Sequence, residues 1–272
     1  MPTKIGINGF GRTGRQLLRA IQQDYLGELE VVGINNRRLA AEDYAHLFKY
    51  DSTYGTYNGK VEATKHSMIV DGSTIMAMSE SKLSDIPWGE IGAQIVVDST
   101  GAYTDAQEAS AHIEGGAKKV IITAPAKNED ITIVFGVNHH SYDSRSHNVI
   151  SGSSCTTNCI ATMAKVLHDN FGIEQGLMTT IHSYTGDQRL LDGWHKDRRR
   201  ARSAGQNIVP TSTGAAKSVG IVLPALKGKM EGMALRVPTD TVSMTDLVAI
   251  LNKTVSRDEV NQAFKNASDI EL

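Results

Sequence analysis

Apolar positions in this chain follow two rhythms that alternate through its first half. Short continuous apolar runs at 3–8, 29–34, 94–98 and 119–123 read as buried strands. Between them the spacing lengthens to that of helices: Leu17, Leu18 and Ile21 share one face of 15–24, and a second helix is expected over 40–48. Residues 60–78 hold strand-like runs broken at Asp71-Gly72, a hairpin signal. Thr104-x-x-Gln107 reads as a capping box opening a helix that Gly115-Gly116 stops, and 149–151 is the last strand of this half. A helical pattern follows from Thr156 to about Phe171, then a strand over 174–181 that runs into His182. A long polar stretch reaches Asn207, and a helix begins at Ala215. Strands are expected over 234–237 and 241–251, the latter with Val242, Met244, Val248 and Ile250 on one face. Ser256-x-x-Glu259 caps a closing helix that runs to about Ala267. Strands alternating with helices predict an α/β protein whose first half is a parallel, doubly wound sheet.

Length and composition narrow this picture. The 272 residues suffice for two domains, expected at 1–150 and 151–272. With 40% hydrophobic and 21% charged residues the chain is an ordinary soluble type. A formal net charge of −2 argues against nucleic acid or an anionic membrane as partner. No apolar run is long enough to span a bilayer, and the N-terminus carries no signal-peptide pattern. Cys155 and Cys159 sit four apart in one expected helix, which suits neither a structural disulfide nor a zinc knuckle. A reducing, cytoplasmic setting is expected. His139, His140 and His147 lack ligand spacing with any Cys or Asp, so no metal site is expected.

The first chemical motif is Gly9-Phe10-Gly11-Arg12-Thr13-Gly14, a G-x-G-x-x-G set between a strand and a helix. Gly9 permits the turn, Gly11 admits a pyrophosphate to the backbone, and Gly14 lets helix and strand close up. The phosphates of a dinucleotide would meet the helix N-terminus. The acidic residue usual at the end of the second strand is absent, and Asn35-Asn36-Arg37-Arg38 holds that corner. Asn36 can bind a ribose hydroxyl without repelling a 2′-phosphate, and Arg37 or Arg38 can pair with one. The same residues also suit a plain solvated turn. NAD or NADP is therefore the expected cofactor. Thr100, Gly101 and Thr123 lie at strand C-terminal ends, where ligand contacts or simple turns both fit.

The second half supplies a nucleophile and a base. Ser153-Ser154-Cys155-Thr156-Thr157 places Cys155 at a helix N-terminus, where free amides and the helix dipole favour a thiolate. His182, brought alongside, would activate that thiolate and carry a proton. Spacing alone does not bring residues 155 and 182 together, and a structural thiol and an ordinary histidine remain open readings. Thr211-Ser212-Thr213-Gly214 before a helix is a candidate anion site. The run His195 to Arg202 is a solvated basic face, or else it offers arginines to a phosphorylated ligand.

These stretches together resemble phosphorylating glyceraldehyde-3-phosphate dehydrogenases. The resemblance is carried by Asn8-Gly9-Phe10-Gly11-Arg12-x-Gly14-Arg15, Ala124-Pro125-Ala126-Lys127 and Ser154-Cys155-Thr156-Thr157-Asn158-Cys159. It continues through Thr180-Ile181-His182-Ser183-Tyr184-Thr185, Thr213-Gly214-Ala215-Ala216-Lys217 and Arg236-Val237-Pro238-Thr239. The wording from His182 to Arg189 looks like the bacterial and chloroplast branch. The resemblance implies a Rossmann dinucleotide-binding domain followed by an incomplete α+β catalytic domain. It implies glyceraldehyde 3-phosphate and inorganic phosphate as substrates, Cys155 as the nucleophile and His182 as the base. It places Asn8, Arg12 and Thr13 at the cofactor, with Thr13 standing where the family usually has isoleucine. It assigns Ser154, Thr156, Thr213 and Gly214 to the attacking phosphate. Thr185, Asp187, Arg199 and Arg236 fall where the family holds phosphate groups. It further implies a homotetramer in which 183–207 lines a neighbouring subunit's cofactor site.

Further departures accompany the resemblance. Asn36 replaces the ribose aspartate, and Ser81 stands where many members have an arginine near the adenine. Members also continue well past Leu272, with further strands, a returning helix and an asparagine that orients the nicotinamide. A C-terminally truncated dehydrogenase is therefore expected, whose assembly needs the missing part. The alternatives are a catalytically impaired nucleotide-binding or subunit-interaction fragment, and an erythrose-4-phosphate dehydrogenase.

Overall fold

The computed structural model describes residues 1–270. The chain divides into two compact units, one of Met1–Thr132 with Tyr142–Ser153, the other of Ile133–Ser141 with Ser154–Leu272.

The first unit is a nine-stranded sheet. Its strands are β1 (Thr3–Asn8), β2 (Leu29–Asn35), β3 (Val61–Ala63), β4 (Ser67–Val70), β5 (Ser73–Met78), β6 (Ile95–Asp98), β7 (Lys119–Ile122), β8 (Ile131–Thr132) and β9 (Val149–Ser151). Helices α1 (Arg12–Asp24), α2 (Ala41–Lys49), α3 (Ala106–Ala109) and α4 (Ala111–Glu114) join them. The spatial order is β3-β4-β5-β2-β1-β6-β7-β9-β8, parallel except for the β3-β4-β5 meander. The order reverses at β1, which pairs in parallel with β2 on one side and β6 on the other. That is the switch point at which a doubly wound sheet opens a crevice at its strand C-termini. Asn8 lies opposite both Asn35 and Asp98 in these registers, so three polar side chains meet there.

Two local expectations need correction. Helix α1 starts at Arg12 rather than at 15, because Gly11 already serves as its N-cap. The cap of α3 is Asp105, not Thr104: its carboxylate accepts from the Gln107 amide and from Asn128 Nδ2. An anionic cap suits the positive end of a helix better than a hydroxyl does. The hairpin at Asp71-Gly72 is present, with both residues at positive φ.

A buried polar network ties the switch point together. The Asp98 carboxylate, 1% exposed, accepts from Asn8 Nδ2, from the Thr100 amide and from the Thr100 hydroxyl. His112 Nε2 lies 3.2 Å from the same carboxylate, while its Nδ1 accepts from Trp88 Nε1 at 2.9 Å. Trp88 is donor only, so Nδ1 is bare and the His112 proton sits on Nε2, aimed at Asp98. Asn35 donates to Asn8 Oδ1 and clasps Glu80 through both its backbone groups.

The second unit carries a four-stranded mixed sheet, β11-β12-β10-β13. Its elements are α5 (Cys155–Phe171), β10 (Ile173–Ser183), β11 (Val209–Ser212), α6 (Ala215–Val222), β12 (Met230–Val237), β13 (Met244–Leu251) and α7 (Arg257–Ser268). Strands β10 and β12 are parallel, while β13 and β11 pair antiparallel with them. Ile160, Ala161 and Ala164 of α5 and Ala216, Val219 and Val222 of α6 pack on Met178 and Met230. The alternating face of β13 turns the other way: Met244, Val248 and Ile250 are exposed, as are Leu177 and Met233. Ser256 and Glu259 form the expected reciprocal cap of α7.

Burial works against the charge on Asp98, but the hydrogen bonds from His112, Thr100 and Asn8 outweigh it and hold its carboxyl below the usual range. A depressed folded-state value adds stability above the unfolded value near 3.9 and loses it as pH falls further. Asp98→Ala is expected to cost about 3 kcal/mol at neutral pH, since it orphans several buried donors. Urea unfolding should show this difference shrinking as pH drops below about 4.

Candidate active site

The first candidate site is a cavity of about 500 Å³ at the switch point of the first unit. Asn8, Gly9, Gly11, Asn36, Arg37 and Thr100 line it, together with Asn35, Arg38, Glu80, Ser81, Ser99 and Tyr103. Arg12, Thr13, Gly14, Gly101 and Thr123 are not in that lining. The glycine loop explains part of this division. A Cβ on Gly14 would meet the Gly9 carbonyl oxygen at 2.1 Å and Ser99 Oγ at 2.8 Å, so Gly14 serves helix–strand contact. A Cβ on Gly11 would meet nothing within 4 Å, which leaves its open space to a ligand. These features fit a dinucleotide whose pyrophosphate approaches the loop backbone.

The remaining predicted residues have other partners. Arg12 forms an ion pair with Asp51 and lies over the Tyr54 ring. Thr123 donates its hydroxyl to the Asp98 carbonyl. Asn36 spends its side-chain oxygen on the Phe10 amide and donates to the Arg37 carbonyl. Arg37 and Arg38 are exposed, and neither guanidinium has a partner among the described residues. Arg38 also holds φ at 69°, a left-handed conformation uncommon for a side chain of its size. Ser99 is a contributor that the motif did not announce: its hydroxyl donates to the Gly9 carbonyl at 2.7 Å and fixes the loop.

The second candidate site lies wholly in the second unit. Ser154 is the N-cap of α5, its hydroxyl accepting from the Thr157 amide, and Cys155 is the first helical residue. His182 is near the end of β10, with Nε2 3.3 Å from Cys155 Sγ. The pair predicted only in kind is thus a contact. The hydrogen bond from His182 is the largest influence on the thiol and outweighs its desolvation. With help from the Thr156 hydroxyl and amide, it brings Cys155 down to about 7. Cys155 is exposed to incoming reagents.

Strand β12 brings a cation to the same place. Its parallel register sets Arg236 abreast of His182. Arg236 Nη1 lies 2.9 Å from His182 Nδ1 and donates to the Ser183 carbonyl at 3.0 Å and to Thr185 Oγ1 at 3.3 Å. Asp187 follows in the next turn, paired with Arg200 and 3.4 Å from His195 Nε2. Burial tends to raise the Asp187 carboxyl, but these two partners hold it below the usual range. Arg199, the residue expected among the phosphate groups, is held elsewhere. It forks onto Asp197, whose carboxyl it pulls down to about 2. Arg200, one position on, points back to Asp187 and Thr211 and bears electrostatically on Arg236. The three arginines are consecutive, and within the turn Arg198–Ala201 Arg199 bonds Asp197 while Arg200 bonds Asp187. Thr213 and Gly214 open α6, which packs on the same core as α5, and Thr213 Oγ1 accepts from the Ala215 amide.

Comparison with known proteins agrees over both units. The family description "Glyceraldehyde 3-phosphate dehydrogenase, NAD binding domain" matches residues 3–106, and its C-terminal domain counterpart matches residues 154–272. A glyceraldehyde-3-phosphate dehydrogenase of Streptomyces coelicolor is 55% identical over 269 residues, covering 99% of this chain and 80% of that protein. One from Geobacillus stearothermophilus is 55% identical over 272 residues, covering 100% of this chain and 80% of the relative. The protein named glyceraldehyde-3-phosphate dehydrogenase 2 in Bacillus subtilis is 50% identical over 268 residues, or 98% and 78%.

Alkylation of Cys155 by iodoacetamide should rise with pH around a midpoint of about 7 and outpace that of Cys159. An ordinary thiol has its midpoint near 8.5, so the thiolate at neutral pH is roughly fifteen-fold enriched. In His182→Asn the midpoint should return toward the ordinary value. An unchanged midpoint would show that the histidine does not activate the sulfur.

Proposed function

The chain belongs to the glyceraldehyde-3-phosphate dehydrogenase family, and on that premise we propose that it oxidises glyceraldehyde 3-phosphate and captures the product with inorganic phosphate. It is an oxidoreductase, and NAD or NADP is its cofactor. The observation that carries the mechanism is the 3.3 Å contact between Cys155 Sγ and His182 Nε2.

The residues act in this order. The Cys155 thiolate attacks the aldehyde carbon, and the new oxyanion is held by the Cys155 amide. Protonation of that oxygen by water gives a hemithioacetal. His182 then takes the hydroxyl proton on Nε2 as the carbon loses hydride. NAD or NADP, when bound, supplies the hydride acceptor. The carbon becomes a thioester on Cys155. Inorganic phosphate attacks it, and the C–S bond breaks to release 1,3-bisphosphoglycerate and the thiolate. Cys155 leaves readily because His182 and Thr156 already stabilise its anion.

In this reading residues 1–150 bind the dinucleotide and 151–272 carry the chemistry. Asn8, Gly9, Gly11, Asn36, Arg37 and Thr100 contact the cofactor, with Arg12, Thr13, Gly14, Gly101 and Thr123 shaping the loop and strand ends around it. Ser154, Thr156, Thr213 and Gly214 receive the attacking phosphate at two helix N-termini. Arg236, Thr185 and Asp187 serve the phosphate groups, and Arg200 takes the role first given to Arg199. The exposed apolar face formed by Leu177, Met233, Met244, Val248 and Ile250 supports assembly with further copies as a homotetramer. No described helix is long and apolar enough to cross a membrane, and a cytoplasmic site of action goes with the substrates.

Purified protein given glyceraldehyde 3-phosphate, phosphate and either cofactor should form reduced cofactor, measured at 340 nm, in steady turnover or a stoichiometric burst. Cys155→Ser should lose at least about a thousand-fold in kcat. Arg200→Ala should raise the KM for phosphorylated substrate about ten-fold, and Arg199→Ala should change it little. Absence of any reduced cofactor from the wild-type chain would overturn the reading.

The paired Arg37 and Arg38 beside a neutral Asn36 support use of NADP as well as NAD. Replacing both arginines by alanine should raise the KM for NADP about ten-fold and leave that for NAD nearly unchanged. Equal losses for the two cofactors, or none for NADP, would remove the 2′-phosphate from this corner.

A further inference from the structure

The proposed mechanism uses one nitrogen of His182. The other carries an arrangement that constrains the first. His182 Nδ1 lies 2.7 Å from the Ser183 carbonyl oxygen and 2.9 Å from Arg236 Nη1. These neighbours ask for opposite protonation states. A guanidinium is donor only, so it is satisfied by a bare Nδ1. A carbonyl is acceptor only, so it is satisfied by Nδ1–H. A bare Nδ1 puts the proton of the neutral ring on Nε2, against the Cys155 sulfur. Nε2 then has no lone pair with which to take the hydroxyl proton. Nδ1–H frees Nε2 for that work but sets one donor against another at Arg236.

We propose that Arg236 is a positioning residue that gates the tautomer of His182. With no anion bound, its guanidinium keeps Nδ1 bare. When a phosphate group draws the guanidinium away, Nδ1 takes a proton and donates it to Ser183, and Nε2 gives up its proton to solvent. The ring stays neutral and the proton count does not change, so the exchange needs no charge to be created in a site where His182 is 9% exposed. The inference rests on the dehydrogenase reading, since the trigger is the phosphate that the substrate carries.

Three further observations support it. Arg236 Nε is buried and has no hydrogen-bond partner among the described residues, so the present posture leaves a donor unused that a phosphate oxygen would satisfy. Arg236 forms no ion pair among the described residues, whereas Arg199 and Arg200 each hold a carboxylate. Both burial and the nearby Arg200 cation disfavour the charge on Arg236, while Cys155 and Asp187 favour it, so an added anion is welcome. The groups facing His182 are Cys155 from α5 and Arg236 from β12. From beside β13, the neutral Ser243 hydroxyl accepts from the Ser183 amide.

The test is nitrogen NMR on protein with ring-¹⁵N histidine, at a pH where free histidine is neutral. The His182 resonances are identified by their loss in His182→Asn. Inorganic phosphate is added against a chloride control of equal ionic strength. Without phosphate, Nδ1 should resonate as a bare nitrogen and Nε2 as a protonated one. With phosphate the two should exchange roles. Arg236→Leu should show protonated Nδ1 from the start and no response to phosphate. Should that variant fail to fold, the wild-type titration decides alone. A wild-type Nδ1 already protonated without phosphate, or a tautomer unchanged at saturating phosphate, overturns the gate. Turnover without tautomer exchange counts against the gate only. Tautomer exchange without turnover counts against the dehydrogenase reading only.

Discussion

Everything in the second unit depends on the sulfur of Cys155 meeting a nitrogen of His182. That contact needs three elements in register. Helix α5 starts at Cys155 because Ser154 caps it, so the sulfur stands beside free backbone amides. Strand β10 extends to Ser183, which carries His182 to the strand's C-terminal end. The two are locked by a shared core in which Ala161 and Ala164 allow α5 to lie close over Met178 and Met230. The electrostatic result follows from competition. Partial burial pushes the thiol up, and the histidine and Thr156 pull it down further. A thiol titrating near neutrality is both ionised enough to attack and basic enough to remain a strong nucleophile. The same value makes it an acceptable leaving group in the thioester step.

The arginines around this pair differ in how much of their charge is already spent. Arg199 is forked on Asp197, and Arg200 is matched by Asp187. Arg236 donates only to neutral acceptors. An incoming phosphate therefore gains most from Arg236, because there it displaces no carboxylate. Parallel pairing of β10 with β12 fixes this division, since it sets Arg236 abreast of His182 and next to the strand end from which Thr185 and Asp187 follow. His182 and Arg236 are neighbours through one backbone ladder.

The legible parts of the sequence were those governed by local chemistry. Strand β1 and helix α5 fall almost where apolar rhythm and the Ser-Ser-Cys cap put them. The doubly wound order follows from alternating strands and helices, and the glycine loop lies at the switch point. What local pattern could not supply was side and partner. The alternation of Met244, Val248 and Ile250 was visible, but not that α5 and α6 would cover the opposite face and leave these residues exposed. Within Arg198-Arg199-Arg200 the residue types are identical, and a single 3-10 turn assigns one to Asp197 and the next to Asp187. Thr104 and Asp105 are adjacent capping residues, and the choice between them was made by Asn128, 23 positions away. Arg200 was legible as a cation, but its pairing with Asp187 was not, for the same reason.

The first unit applies the logic of spent and unspent charge to a different ligand. Asp98 lies beneath the cavity, yet its carboxylate is engaged by Asn8, Thr100 and His112, and Trp88 fixes the His112 proton in the direction of that anion. A carboxylate so fully hydrogen-bonded acts as a brace for three strand ends rather than as an open negative charge facing a phosphate. Beside it the cavity is lined by Asn8, Gly9 and Gly11 with the hydroxyl residues Ser99 and Thr100, a neutral wall that suits a pyrophosphate. Its far corner, at the end of β2, carries Arg37 and Arg38, without partners among the described residues, and Glu80. At both sites the carboxylates Asp98 and Asp187 are engaged and hold the scaffold, while Arg37, Arg38 and Arg236 are left without a carboxylate partner among the described residues. That placement is what a site for phosphorylated ligands requires, because an anion that must first break an existing ion pair gives up part of its binding energy in doing so.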